Sequence, residues 1–216
     1  MSYELGDAVP APLLDAVDPG TNILVSGPAM SGKRELMLEV LGHGATNGDG
    51  SVVVTANDGG EQIYDAYQEI VEQESYLRIV DSVGAEPSDE LAEVIRPVSS
   101  PGDLTGMGIE FSQIATEGTG SGVDRIRVAF DSISAVLMYV ELERLFRFLH
   151  VFTRQIQSKD WVGLFAIDPE SHDQQVINTV NQLFDGVLEI RVPEDGSREI
   201  RRRGFGQSPS EWAPLD

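Results

Sequence analysis

The chain has 216 residues, with 36 Asp+Glu against 15 Lys+Arg and a formal net charge of -21. A hydrophobic share of 41% excludes a disordered chain, and the absence of cysteine excludes a disulfide framework or a thiolate metal site. No apolar run approaches the length of a membrane span and no charged-then-apolar leader opens the sequence, so a single cytoplasmic domain with no membrane partner is expected.

In chain order, residues 1–21 read as a lead-in punctuated by Pro10, Pro12 and Pro19-Gly20. Residues 22–26 are a short apolar strand, and residues 33–41 an amphipathic helix burying Leu36, Val40 and Leu41. Gly, Asn and Asp over residues 42–50 predict a loop, followed by a buried strand over 51–55. Ile63, Ala66, Tyr67, Ile70 and Val71 recur at helical spacing, and residues 77–81 form a third strand. Pro87, Pro97 and Pro101 interrupt the stretch 84–122; a helix over 103–116 is expected there, then a flexible turn over 118–122.

Residues 125–131 are a strand ending in a carboxylate, Asp131. Leu142, Leu145, Phe146, Leu149, Phe152 and Ile156 outline a long amphipathic helix. A buried strand over 161–167 and a helix over 173–184 follow. Strands over 187–192 and 198–205 flank Pro193-Glu194-Asp195-Gly196-Ser197, a hairpin signal. Strands alternating with helices predict an α/β fold, a mostly parallel central sheet flanked by helices, with a C-terminal antiparallel hairpin. The three histidines, His43, His150 and His172, are scattered and read as surface or helix residues, not ligands.

Chemistry concentrates between the first strand and the first helix, in Gly27-Pro28-Ala29-Met30-Ser31-Gly32-Lys33-Arg34. This is G-x-x-x-x-G-K in strand–loop–helix context, the phosphate-binding loop of nucleotide proteins. The glycines free the backbone to turn its N–H groups inward, the helix adds its positive end, and Lys33 is a point charge for phosphate. Lysine is otherwise almost excluded, the other being Lys159. The last position departs from the pattern: Arg34 stands where Ser or Thr is usual.

The order of these pieces resembles the RecA-like P-loop ATPases, in particular the branch of KaiC and archaeal RadA with its paralogues, over nearly the whole chain. The resemblance implies a RecA-like sandwich that binds ATP, with Mg²⁺ as its companion. It implies that Asp131, in Val128-Ala129-Phe130-Asp131, matches the Walker B carboxylate that holds the Mg²⁺ water shell; alone, such an Asp also reads as a helix cap. It places Asn57-Asp58 where the branch carries a Glu pair that activates the attacking water. Asn57 orients water but takes no proton, and Asp58 either substitutes or begins the Asp58-Gly59-Gly60 turn.

A Ser/Thr hydroxyl at position 34 would ligate the metal. A guanidinium cannot; it pairs with a phosphate or points outward. Arg201 and Arg203, in Ile200-Arg201-Arg202-Arg203-Gly204, resemble the basic segment of KaiC that reaches a neighbouring subunit's γ-phosphate, which implies a homo-oligomer or a related P-loop partner. Read alone, they are a cationic edge strand that deters sheet aggregation.

The acidity fits a surface adapted to very high salt, as in halophilic archaea, or basic partners. It speaks against nucleic acid, although less so for a salt-adapted protein. Three functions compete. One is an ATP-binding regulator that turns over slowly or not at all and signals through assembly. The second is a recombinase-paralogue ATPase working with single-stranded DNA, which needs a basic, aromatic-bearing path. The third is a scaffold with a relic loop.

Overall fold

The structure is a computed structural model describing residues 1–71, 73–84, 86–120 and 122–215, apart from the side chain of residue 119. It opens with two short strands, β1 (Tyr3–Glu4) and β2 (Ala16–Val17), paired antiparallel. Then come β3 (Asn22–Ser26), α1 (Lys33–Thr46), β4 (Gly50–Thr55), α2 (Gly60–Ile70), β5 (Leu77–Asp81), β6 (Ile95–Pro97) and α3 (Leu104–Gly120). The second half holds β7 (Ile126–Asp131), α4 (Ile133–Leu137), α5 (Leu142–Ser158), β8 (Val162–Ile167), α6 (Gln174–Asn181), β9 (Gly186–Arg191), β10 (Glu199–Gly204) and β11 (Ala213–Pro214).

Nine strands form one sheet in the order β11-β10-β9-β3-β8-β7-β4-β5-β6. From β9 to β6 every pairing is parallel; β10 and β11 run antiparallel at one edge. Successive strand residues point to opposite faces, so each strand feeds two cores. Ile23, Val25, Val53 and Ala129 pack with Leu36, Val40, Ile63 and Tyr67 under α1 and α2. Leu24, Val52, Val54, Val128 and Phe130 pack with Met107, Phe111, Leu145 and Phe152 under α3 and α5. The sheet is buried on both faces, as parallel sheets require. Among the described residues no helix is long and apolar enough to cross a membrane.

Three expectations need correction. The loop predicted over 42–50 is mostly helix, since α1 runs to Thr46. Its glycines serve packing: a Cβ on Gly42 would lie 2.6 Å from Ile70 Cγ2, and one on Gly44 would collide with the Arg127 guanidinium. Of the turn predicted over 118–122, residues 118–120 continue α3, where a Cβ on Gly118 would lie 2.9 Å from Ile126 Cδ1; residue 121 lies outside the described residues. Residues 1–21 are not merely a lead-in: Tyr3, Leu5, Val9 and Val17 are buried against α1.

That segment is fastened by charge as well. Arg127 is buried; its Nε donates to Asp49 Oδ2 at 2.9 Å and its Nη1 to the carbonyls of Glu4 at 2.6 Å and Val40 at 2.9 Å. Arg125 Nε donates to the other Asp49 oxygen at 2.7 Å, and its guanidinium lies 3.9 Å over the Tyr3 ring.

Candidate functional site

The C-terminal ends of β3, β8, β7 and β4 lie side by side, and the segments leaving them enclose a cleft of about 660 Å³. Open parallel sheets bind ligands at this edge. The loop 27–32 arches from β3 to α1. Its first amide, Gly27 N–H, donates to Ile167 O at 3.2 Å, tying it to β8. A Cβ on Gly27 would sit 2.7 Å from Ser31 Oγ, and Gly32 has φ of 85°, so the arch depends on both glycines. Pro28, Ala29 and Met30 form the crown, with Met30 at φ of 57° and fully exposed. Gly32 caps α1 without a side chain, leaving the first amides of a 14-residue helix for a ligand.

Lys33 Nζ is folded into the arch. It donates to Gly27 O at 2.7 Å, Pro28 O at 2.6 Å and Ser31 Oγ at 3.4 Å. Burial holds its pKa below the ordinary lysine value, against the opposing pull of Asp168 and Asp131. These neutral partners place the ammonium where it can be handed to a phosphate. The backbone and Lys33 therefore fit a polyphosphate chain.

A magnesium ion finds different surroundings. Arg34 turns into the cleft. Its Nε donates to Asp131 Oδ2 at 2.8 Å and its Nη2 to Asp58 Oδ2. Burial opposes the Arg34 charge, but the Asp131 hydrogen bond and the Asp131 and Asp58 charges outweigh it and raise its pKa above the ordinary value. Asn57 Nδ2 takes the other Asp131 oxygen at 3.2 Å and also donates to Ser132 Oγ at 3.2 Å. Both oxygens of the buried Asp131 thus face donors, and a cation stands where a hydroxyl ligand is expected. Among the described residues no cluster of three His, Cys, Asp or Glu side chains is placed to hold a metal. As these side chains stand, they do not fit Mg²⁺: neither Asp131 oxygen is left without a donor. Asp58 and Asn57 are committed to the same knot: Asp58 to Arg34, Asn57 to Asp131.

The cleft contains residues that the sequence reading passed over. Ser134, in the first turn of α4, accepts from Asp168 N at 2.9 Å and lies 2.9 Å from His172 Nε2. His172, half-buried, lies in the segment between β8 and α6 and lines the cleft. The available signal was position: Asp168 and His172 follow β8, as Asp131 ends β7. Arg198, just before β10, is not part of the cleft lining but lays its Nη1 over Gly32, where any Cβ would collide with it.

Arg201 and Arg203 do share one face of β10. Both donate to Glu189 on β9, and Arg201 also lies 4.5 Å over the Trp212 ring. They are at the antiparallel edge and do not line the cleft of their own chain.

Among solved structures, the chain is similar to a KaiC-like protein from the hyperthermophilic archaeon Pyrococcus horikoshii OT3, with a TM-score of 0.68 and 14% sequence identity over 99% of this chain and 92% of that one. The likeness shows a shared RecA-like fold. No curated protein matches the chain. Residues 20–190 match "Family of unknown function (DUF7504)". That stretch runs from before β3 through nearly all of β9 and carries the whole arch, Asp58 and Asp131, so the chain belongs to DUF7504.

Proposed function

We propose that this protein is an ATP-binding regulator of the KaiC/RecA type, with weak or no hydrolysis, acting through assembly with copies of itself or a related P-loop subunit. The observation that carries the reading is the knot of Arg34, Asp131, Asp58 and Asn57 beside an intact phosphate arch. The arch supports binding. The knot supports slow turnover, because the groups that would hold metal and activate water are bonded to one another. General-base catalysis contributes roughly 10²–10⁴-fold, so its loss alone slows an ATPase severely. Working at molar salt in the cytoplasm of a halophile accords with the acid excess. Arg201 and Arg203 serve, in this reading, at a subunit boundary, with Glu189 holding them until a neighbour's nucleotide competes. Their shared carboxylate argues against a bare cationic DNA path.

The test is ATP binding and hydrolysis by the purified protein at molar KCl. Saturable binding with turnover far below one per second supports the regulator. Brisk turnover overturns it in favour of a working ATPase, and failure to bind any nucleotide favours the scaffold.

A further inference from the structure

Two cationic head groups, Lys33 and Arg34, line the cleft at the arch, and a third, Arg198, lies against Gly32 beyond the cleft lining. Lys33 is inside the arch. Arg34 uses Nε and Nη2 on Asp131 and Asp58, while its Nη1, with two N–H groups, has no hydrogen bond among the described residues. The side chain is one-third exposed and lines the cleft, so this free end is available to a ligand. Arg198 lies over Gly32 and forms no ion pair among the described residues. A guanidinium presents several donors to phosphate oxygens in a fixed plane. The carboxylates beside Arg34 do not cancel this offer; they fix the plane, as a bonded partner orients a ligand-binding group.

Resting on the nucleotide reading above, we infer that the site takes its nucleoside polyphosphate without a divalent metal. Arg34 and Arg198, with Lys33, supply the positive charge that a metal ion supplies elsewhere. Arg34 Nη1 meets the terminal phosphates from the Asp131 side, and Arg198 meets them from the side of Gly32. The ligand class is the metal-free nucleoside triphosphate or diphosphate. A metal ion added to the ligand brings a second cation toward Arg34 and gains no protein ligand from Asp131.

Calorimetric titration of ATP at molar KCl, once in excess EDTA and once in excess Mg²⁺, tests this. The expected dissociation constants agree within about threefold. Arg34→Thr is expected to weaken binding in EDTA by at least about tenfold and to regain it in Mg²⁺, because the hydroxyl and the freed Asp131 create a metal site. Arg198→Ala, a change at a half-buried position outside the core, is expected to weaken binding in EDTA by roughly fivefold. Wild-type binding that appears only with Mg²⁺ overturns this inference and leaves the nucleotide reading standing. Absence of binding in both buffers overturns both.

Discussion

Arg34 Nε lies 2.8 Å from Asp131 Oδ2, joining the second residue of α1 to the last residue of β7. The bond spans the gap that the phosphate loop opens onto. It makes the residue after the loop lysine a tether, and the tether couples the catalytic question to a single substitution.

Arg34→Thr removes the tether and restores a hydroxyl. Mg²⁺-dependent ATP hydrolysis is expected to rise by roughly tenfold or more over wild type, since the metal contributes several kcal/mol of charge stabilisation in such transfers. Steady-state phosphate release, with and without Mg²⁺, is the measurement. An unchanged rate and metal dependence would show that Arg34 does not hold the site idle.

Lys33→Ala is expected to abolish nucleotide binding, a loss of at least about 100-fold for a charge-assisted phosphate contact. Undiminished affinity would sink the site. Lys33 also sets a pH dependence. Burial lowers its pKa in the empty protein, and bound phosphate favours its charged form. Between the lowered value and the higher value in the complex, binding must take up a proton. Affinity therefore falls as pH rises through the lowered pKa. Titrations in buffers of different ionisation enthalpy read this uptake directly.

Asp103 caps α3. Its Oδ1 accepts from Gly106 N at 2.8 Å and its Oδ2 from Ser99 Oγ at 2.8 Å, and these bonds lower its pKa. A depressed carboxylate pKa means stability present above the unfolded value and lost as pH falls through the folded one. Asp103→Ala should cost about 1 kcal/mol near neutral pH, and Asp103→Asn much less, since the amide oxygen still accepts. Urea midpoints at neutral pH and in acid separate the two.

Asp49→Ala strands Arg127, whose side chain is 1% exposed and has Asp49 as its carboxylate partner. Leaving a buried cation uncompensated costs about 3–5 kcal/mol. Denaturation at constant molar KCl should show that loss, and replacing Arg127 and Asp49 together with apolar residues should recover much of it. A loss below about 1 kcal/mol would mean that water reaches the pair.

The parallel strands were legible because burial on both faces writes them as short apolar runs. Residues 22–26 and 77–81 match β3 and β5 residue for residue. β6 escaped notice because Ile95-Arg96-Pro97 is three residues with one buried side chain. The end of α1 escaped because Gly42 and Gly44 weaken helix propensity, while the close approach of Ile70 and Arg127 that requires them is a tertiary fact. The glycine arch between β3 and α1 was legible from its spacing. The knot was not, since Arg34 and Asp131 are 97 positions apart and local pattern cannot say where a guanidinium turns. His172 and Arg198 carry no motif; only the strand order brings them to the arch.

The nine-stranded sheet ends on one side in Ala213–Pro214 and on the other in Ile95–Pro97. Both outer strands are two or three residues long and carry a proline, which cannot donate to a further strand. Growth of the sheet from molecule to molecule is therefore closed at both margins. Copies of this protein that associate then meet through side chains, those of β10 included, and such contacts can be made and released without unzipping backbone.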